Sequence, residues 1–336
     1  MSFIMNIRSV AKYESKILVR SWFFRIFTLL AVVFLGFFNF AMMLMEDNFG
    51  LWFAKSVSSN IPYLNLLLLN TGQAVVAVFL SSEFLKRDKK LDTSEVFYVR
   101  PLSNAEYVVG KIWGNLRVFL FLNLLVLAIV LAFNFMASGV TVDLPAYLVY
   151  FFLISIPTLI FIIGLSIFLM LLLKNQALTF ILLLGYIGLT LFYIQDKFYY
   201  LFDYMVYNLP LFKSTIVGFS NLELILNHRA IYFFAGLGFI FFTIFLFKRL
   251  PNARRSHYPW LFLSFCMFLL MVTAGFRHVR SILWEGEMRA LYTSINNKYV
   301  YEPKMAIDYY DISVEQKSET IRSVVGMEGT ALAASE

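Results

Sequence analysis

Residues 122–133 read "LNLLVLAIVLAF", and only Asn123 among them carries a polar side chain. A half-exposed strand alternates apolar and polar residues, and so does a strand of a membrane barrel. This run does neither. It is apolar on every side, which suits a helix whose surroundings are hydrocarbon or a packed interior. With its flanks it forms a run over 113–137, about the length that crosses a hydrocarbon core roughly 30 Å thick. Six further runs of this kind lie at 22–45, 61–82, 146–173, 177–195, 230–247 and 259–276. Hydrophobic residues make up 60% of the 336-residue chain and charged residues 15%, too apolar a balance for a soluble domain of this length. The expected fold class is all-α: a polytopic helical membrane protein with about seven transmembrane helices, an N-terminal amphipathic interfacial helix and a short extracytoplasmic tail.

Basic residues of short loops favour the cytoplasmic side, and they fix the expected orientation. With the N-terminus inside, the inner segments hold Arg8, Lys12, Lys16 and Arg20, then Lys86, Arg87, Lys89, Lys90, Arg100 and Lys111. Later inner segments add Lys174, Lys248, Arg249, Arg254 and Arg255. Lys55, Lys197 and Lys213 are the outer counterparts, while Arg277, Arg280 and Arg289 argue weakly the other way. The chain is expected in the cell inner (plasma) membrane with a cytoplasmic N-terminus. The net charge of +7 is then a topology signal, and no nucleic-acid partner is expected. The single cysteine, Cys266, excludes a disulfide framework or a cysteine metal site. The first apolar run is too long for the core of a cleavable signal peptide.

Residues 1–21 project as an amphipathic helix, with Phe3, Ile4, Ile7, Val10, Ala11, Tyr13, Ile17 and Leu18 on one arc. Arg8, Ser9, Lys12, Ser15, Lys16 and Arg20 fill the other arc, and Glu14 is the exception inside the apolar one. Such a helix suits membrane lipids at the inner leaflet, with Lys12, Glu14 and Lys16 as an interface to a cytoplasmic partner as the alternative.

Between the second and third runs lies "RPLSNAEYVVGKIWG", residues 100–114. Ser103 followed by Glu106 has the form of a capping box, in which each side chain meets the other residue's backbone N–H. Pro101 keeps its predecessor out of the helical region. A helix is therefore expected to start at Asn104 and run without interruption into the third span. A capped helix continuous with a span transmits displacement that a flexible loop would dissipate.

The order of these parts resembles the permease subunits of type-2 ABC exporters. The likeness rests on Pro101, Ser103, Glu106, Tyr107, Gly110 and Lys111, after an amphipathic N-terminus and two spans, and covers about residues 1–250. The resemblance implies a permease domain over 22–276 whose cytoplasmic coupling loop, 83–112, docks on a separate ABC ATPase subunit. It also implies a second permease chain, as homodimer or heterodimer. No phosphate-binding G-x-x-x-x-G-K-[ST] loop occurs, so ATP chemistry is expected on the partner and no cofactor on this chain.

His228, His257 and His278 form no H-E-x-x-H motif, and no metal site or catalysis is expected. Asn39, Asn65, Asn70, Gln73, Asn123 and Asn134 inside spans are read as helix–helix hydrogen-bond partners, with a substrate path as the alternative. Pro157, Gly185 and Gly188 are read as kink and packing sites. Arg117 lies near enough to the inner end of its span to snorkel.

The resemblance implies an outer re-entrant segment over 196–229. Tyr200, Phe202, Tyr204 and Tyr207 crowd one side of Pro210 there, and such rings settle at an interface. The resemblance makes them outer gate candidates. Residues 277–336 read as an extracytoplasmic tail, with Tyr310, Ile312 and Val314 on one strand face, a polar turn at 315–319 and a second strand. In a subset of the family a similar strand opens an aminopeptidase-like outer domain; its motif is absent here, so the tail is expected to be truncated, mobile and dispensable. Two functions remain: an exporter's transmembrane subunit, or a non-transporting membrane anchor or scaffold for an extracytoplasmic domain. A secondary transporter would need an inverted repeat and a buried coupling carboxylate, which the sequence does not offer.

Overall fold

The computed structural model describes residues 2–44, 59–90, 102–136, 142–209, 211, 213–214, 218–219, 221–247, 258–300, 305–317 and 320–331. The described chain is mostly helical: α1 (Ser2–Arg20), α2 (Trp22–Leu44), α3 (Asn60–Lys90), α4 (Asn104–Met136), α5 (Leu144–Leu173), α6 (Gln176–Ile194), α7 (Leu222–Leu246) and α8 (Tyr258–Tyr299). Among the described residues, seven of these, α2 to α8, are long and apolar enough to cross a membrane. The chain is a multi-pass helical membrane protein.

Local chemistry sets the helix ends. Asp143 caps α5 by accepting from the Ala146 N–H at 3.3 Å, and Asn175 caps α6 by accepting from Leu178 N–H at 3.2 Å. Between α5 and α6 only Lys174 and Asn175 intervene, and Lys174 turns left-handed at φ 53°. That short turn folds α6 back beside α5. Within α5, residues Phe151–Ser155 form a π-helical turn just before Pro157, which has no N–H to give.

The buried core lies among α3, α4, α5 and α7, while α2, α6 and α8 turn most of their apolar surface outward. Helices α5 and α7 meet backbone to backbone. A Cβ on Gly164 would stand 2.7 Å from the Gly236 carbonyl oxygen, and one on Gly236 would stand 2.7 Å from Ile160 backbone atoms. Gly185 and Gly188 were expected to pack, but a Cβ on either meets nothing within 4 Å. They face outward on α6.

The amides inside the spans make helix–helix hydrogen bonds, although Asn70 Oδ1, Gln73 Nε2 and Asn134 Oδ1 are buried without a hydrogen-bond partner. Asn39 and Asn65 exchange bonds of 2.7 and 3.1 Å between α2 and α3. Asn70, Asn123, Gln73 and Ser155 form one cluster across α3, α4 and α5, with bonds of 2.8 to 3.3 Å. Asn134 reaches the Tyr147 hydroxyl at 3.0 Å.

Two boundaries differ from expectation. Helix α7 begins at Leu222, so residues 222–229 belong to a span and the irregular segment ends at 221. The polar triplet Asn227, His228 and Arg229 had hidden that start. Helix α8 continues through 277–299, so the first third of the expected tail is helix. The hairpin does form, as β3 (Met305–Lys317) paired antiparallel with β4 (Thr320–Ala331), and the polar residues Glu315, Gln316 and Lys317 belong to its first strand.

Candidate functional site: a helical joint and a clamped segment

The capping box forms in full. Ser103 donates its backbone N–H to Glu106 Oε2 at 2.6 Å, and Glu106 donates its own to Ser103 Oγ at 3.1 Å. Helix α4 starts at Asn104 and runs 33 residues, about 50 Å at 1.5 Å per residue. That exceeds a hydrocarbon core by roughly 20 Å. Helix α1 runs beside this surplus, in the same direction.

The contact between α1 and α4 is close. Gly110 and Gly114, one turn apart, let the backbones approach: a Cβ on Gly110 would stand 2.7 Å from Val10 Cβ, and one on Gly114 2.8 Å from the Ala11 carbonyl oxygen. Glu14 and Lys111 then form an ion pair at 2.8 Å, each side chain 3% exposed. This explains the carboxylate inside the apolar arc. Asn6 donates to Glu106 Oε1 at 2.9 Å, and Ser15 donates to the Gly114 carbonyl at 2.6 Å. Arg117, instead of only snorkelling, donates to the Ala11 carbonyl at 2.8 Å. Helix α7 joins at its C-terminal end, where Asn104 donates to the Phe247 carbonyl at 2.7 Å and the Tyr107 ring stacks on Phe247 at 5.4 Å.

Four expected docking residues, Glu106, Tyr107, Gly110 and Lys111, are therefore buried inside the chain. Lys12 and Lys16 are exposed on α1, and Glu14 is buried. Pro101 and most of the loop 83–112 before it lie outside the residues whose side chains are described. Arg8, Lys12, Tyr13 and Lys16 on the outer side of α1 are exposed, as is Ser103 at the capped turn.

At the opposite end, the chain between α6 and α7 folds back among the helices. Phe198, Tyr199 and Tyr200 are left-handed, with φ of 51°, 58° and 62°, and β1 (Lys213–Ser214) pairs with β2 (Gly218–Phe219). Asp203, Tyr204, Met205, Val206, Leu209 and Leu211 are buried. Irregular backbone survives in such a place only when its polar groups are met. Helix side chains meet them in succession. His278 and His228 stand 2.9 and 3.0 Å from the carbonyls of Tyr199 and Tyr200, and the Tyr232 hydroxyl donates to Leu201. Tyr63 donates to Val206 at 3.0 Å, Tyr150 donates to Leu211, and Lys213 pairs with Asp143 at 2.7 Å.

Arg229 organises this clamp, and the sequence reading missed it. Pro157 deprives the Leu153 carbonyl of its helical donor, and Arg229 Nε supplies one at 2.6 Å. The same guanidinium donates to the Tyr204 carbonyl at 2.9 Å and to Thr158 Oγ1 at 2.8 Å. One side chain thus ties the π-turn of α5 to the irregular segment. An arginine among apolar neighbours in "NHRAIYFF" was the available signal. Asp203 is the nearby carboxylate; burial holds its carboxyl above the usual range, against the pull of the Asn208 N–H at 2.9 Å and of Arg229.

Of the gate candidates, Tyr204 is fully buried and stacked on Tyr186 at 5.6 Å, and the Tyr207 hydroxyl is hydrogen-bonded to Thr71. Tyr200 is half-buried and Phe202 is 41% exposed. Pro210 lies outside the described residues. Among the described residues no group of three or more His, Cys, Asp or Glu side chains is placed to hold a metal ion. No known protein-family model matches the chain, and no curated protein matches it either.

Proposed function

We propose that this chain is the transmembrane permease subunit of an ATP-binding-cassette exporter of the type-2 kind. It couples ATP hydrolysis on a separate subunit to substrate movement across the membrane. The observation that carries this reading is the joint. A capped helix continuous with a span is locked to the N-terminal helix by a buried ion pair and two close-packed glycines. A push on α1 reaches α4 directly and α7 through Phe247. The clamped segment at the other end closes the bundle between α3, α5 and α7, where an outer gate belongs. The resemblance over residues 1–250 supports the same assignment, with the N-terminus cytoplasmic.

The long extension of α8 with its hairpin favours a second reading, a membrane anchor that presents an extracytoplasmic element. Affinity purification of the full chain from its native membrane, with mass spectrometry of what accompanies it, separates the two. The exporter reading expects a stoichiometric ATP-binding subunit. Recovery of an extracytoplasmic protein, with no ATP-binding subunit, would overturn it in favour of the anchor.

A further inference from the structure

Helix α8 passes the start of α7 at Arg277, whose guanidinium meets Glu223 at 2.8 Å, and then continues to Tyr299. At 1.5 Å per residue this carries it about 33 Å beyond its neighbour, against a headgroup region of roughly 5–8 Å on each side of a hydrocarbon core. The extension nevertheless shows an apolar stripe. Trp284, Leu291, Ile295 and Tyr299 are 60, 48, 46 and 52% exposed, with Met288 completing the line. Positions 284, 288, 291 and 295 alternate steps of four and three, the spacing of a coiled-coil seam.

The hairpin repeats the pattern in strand form. Directly opposed residues of an antiparallel pair share a face, and Tyr310 opposes Met327, Ile312 opposes Val325 and Gln316 opposes Ile321. With Val314 these side chains make one face apolar, its six large residues 42 to 58% exposed. The other face holds Asp311, Ser313, Glu315, Lys317, Arg322 and Glu328, with Tyr309 and Val324 as its two large apolar residues. The hairpin's principal contacts are between its own two strands.

We infer that the stripe of α8 and the apolar hairpin face bind the same surfaces of a second copy of this chain. Two copies in one membrane extend α8 in parallel and side by side, so each seam residue meets its own counterpart across a twofold axis. In that register Glu287 of one copy faces Tyr292 of the other, and no like charges oppose. Ten large side chains, each about half open, offer on the order of 800 Å2 per copy, one partner's share of a standard interface. The inference stands independently of the export reading.

Cysteine cross-linking in native membranes tests it, with the full chain in a Cys266→Ser background. Under mild oxidation Leu291→Cys and Ile295→Cys give a product of twice the chain's 39.0 kDa, while Thr293→Cys, on the opposite side of the helix, gives none. No product, a product of another mass, or equal cross-linking at position 293 overturns the inference. Adding Ile312→Asp with Val325→Asp lowers the yield at position 295 several-fold; an unchanged yield overturns the hairpin's part.

Discussion

At the scale of single residues, the pair Glu14 and Lys111 carries the most weight. Two charges 97 positions apart meet in a buried joint, and removing one member of a buried pair is strongly destabilising. Lys111→Met should therefore destabilise the purified protein by about 3–5 kcal/mol in denaturant titration, while Glu14→Leu with Lys111→Met should recover most of the loss. A second charged side chain gives a coupled test. If Arg229 stands in for the N–H that Pro157 lacks, Arg229→Met should cost less in a Pro157→Ala background, because the restored N–H then serves Leu153. The coupling should be about 1–2 kcal/mol in a double-mutant cycle, and strict additivity would contradict the clamp. Legibility in the sequence divided along the same line. The capping box spans four residues and could be read directly. Glu14 stood out as an exception in its arc, but its partner could not be found, because helix periodicity gives a face and never the neighbour that covers it.

Among elements, the seven spans were legible because hydrocarbon demands long apolar runs. Their ends were less so. The polar triplet before residue 230 made α7 look shorter, and the polar composition after residue 276 made the rest of α8 look like loose tail. Small residues divide in two. Gly110 and Gly114 form the floor of the α1 contact, whereas Gly185 and Gly188, expected as packing sites, meet no neighbour. Composition cannot tell these cases apart; the partner backbone decides. Gly236→Ala should cost about 1–3 kcal/mol, since its methyl would overlap the α5 backbone. Gly185→Ala should instead be neutral or stabilise α6 by roughly 0.5–1 kcal/mol. Thermal unfolding of the two variants, compared in the same detergent, distinguishes them.

For the whole molecule, seven helices among the described residues are long and apolar enough to cross a membrane, and seven crossings would put the two ends on opposite sides. The joint of α1, α4 and α7 lies at one side of the bundle, and the clamped segment, the α8 extension and the hairpin lie at the other. With a cytoplasmic N-terminus, Lys16→Cys should react with impermeant thiol reagents only from inside and Asn297→Cys only from outside, both in the Cys266→Ser background. Both positions are exposed, so accessibility reports sidedness alone. The reverse labelling would place the joint away from ATP. If a partner's ATP cycle works through this joint, the complex purified from native membranes hydrolyses ATP in a vanadate-sensitive way with the wild-type chain. The rate changes roughly fivefold or more with Lys111→Met, measured on complexes that elute intact at the wild-type position so that unfolded chain is left out. Hydrolysis that is absent from the wild-type preparation, or indifferent to Lys111→Met, would contradict the account.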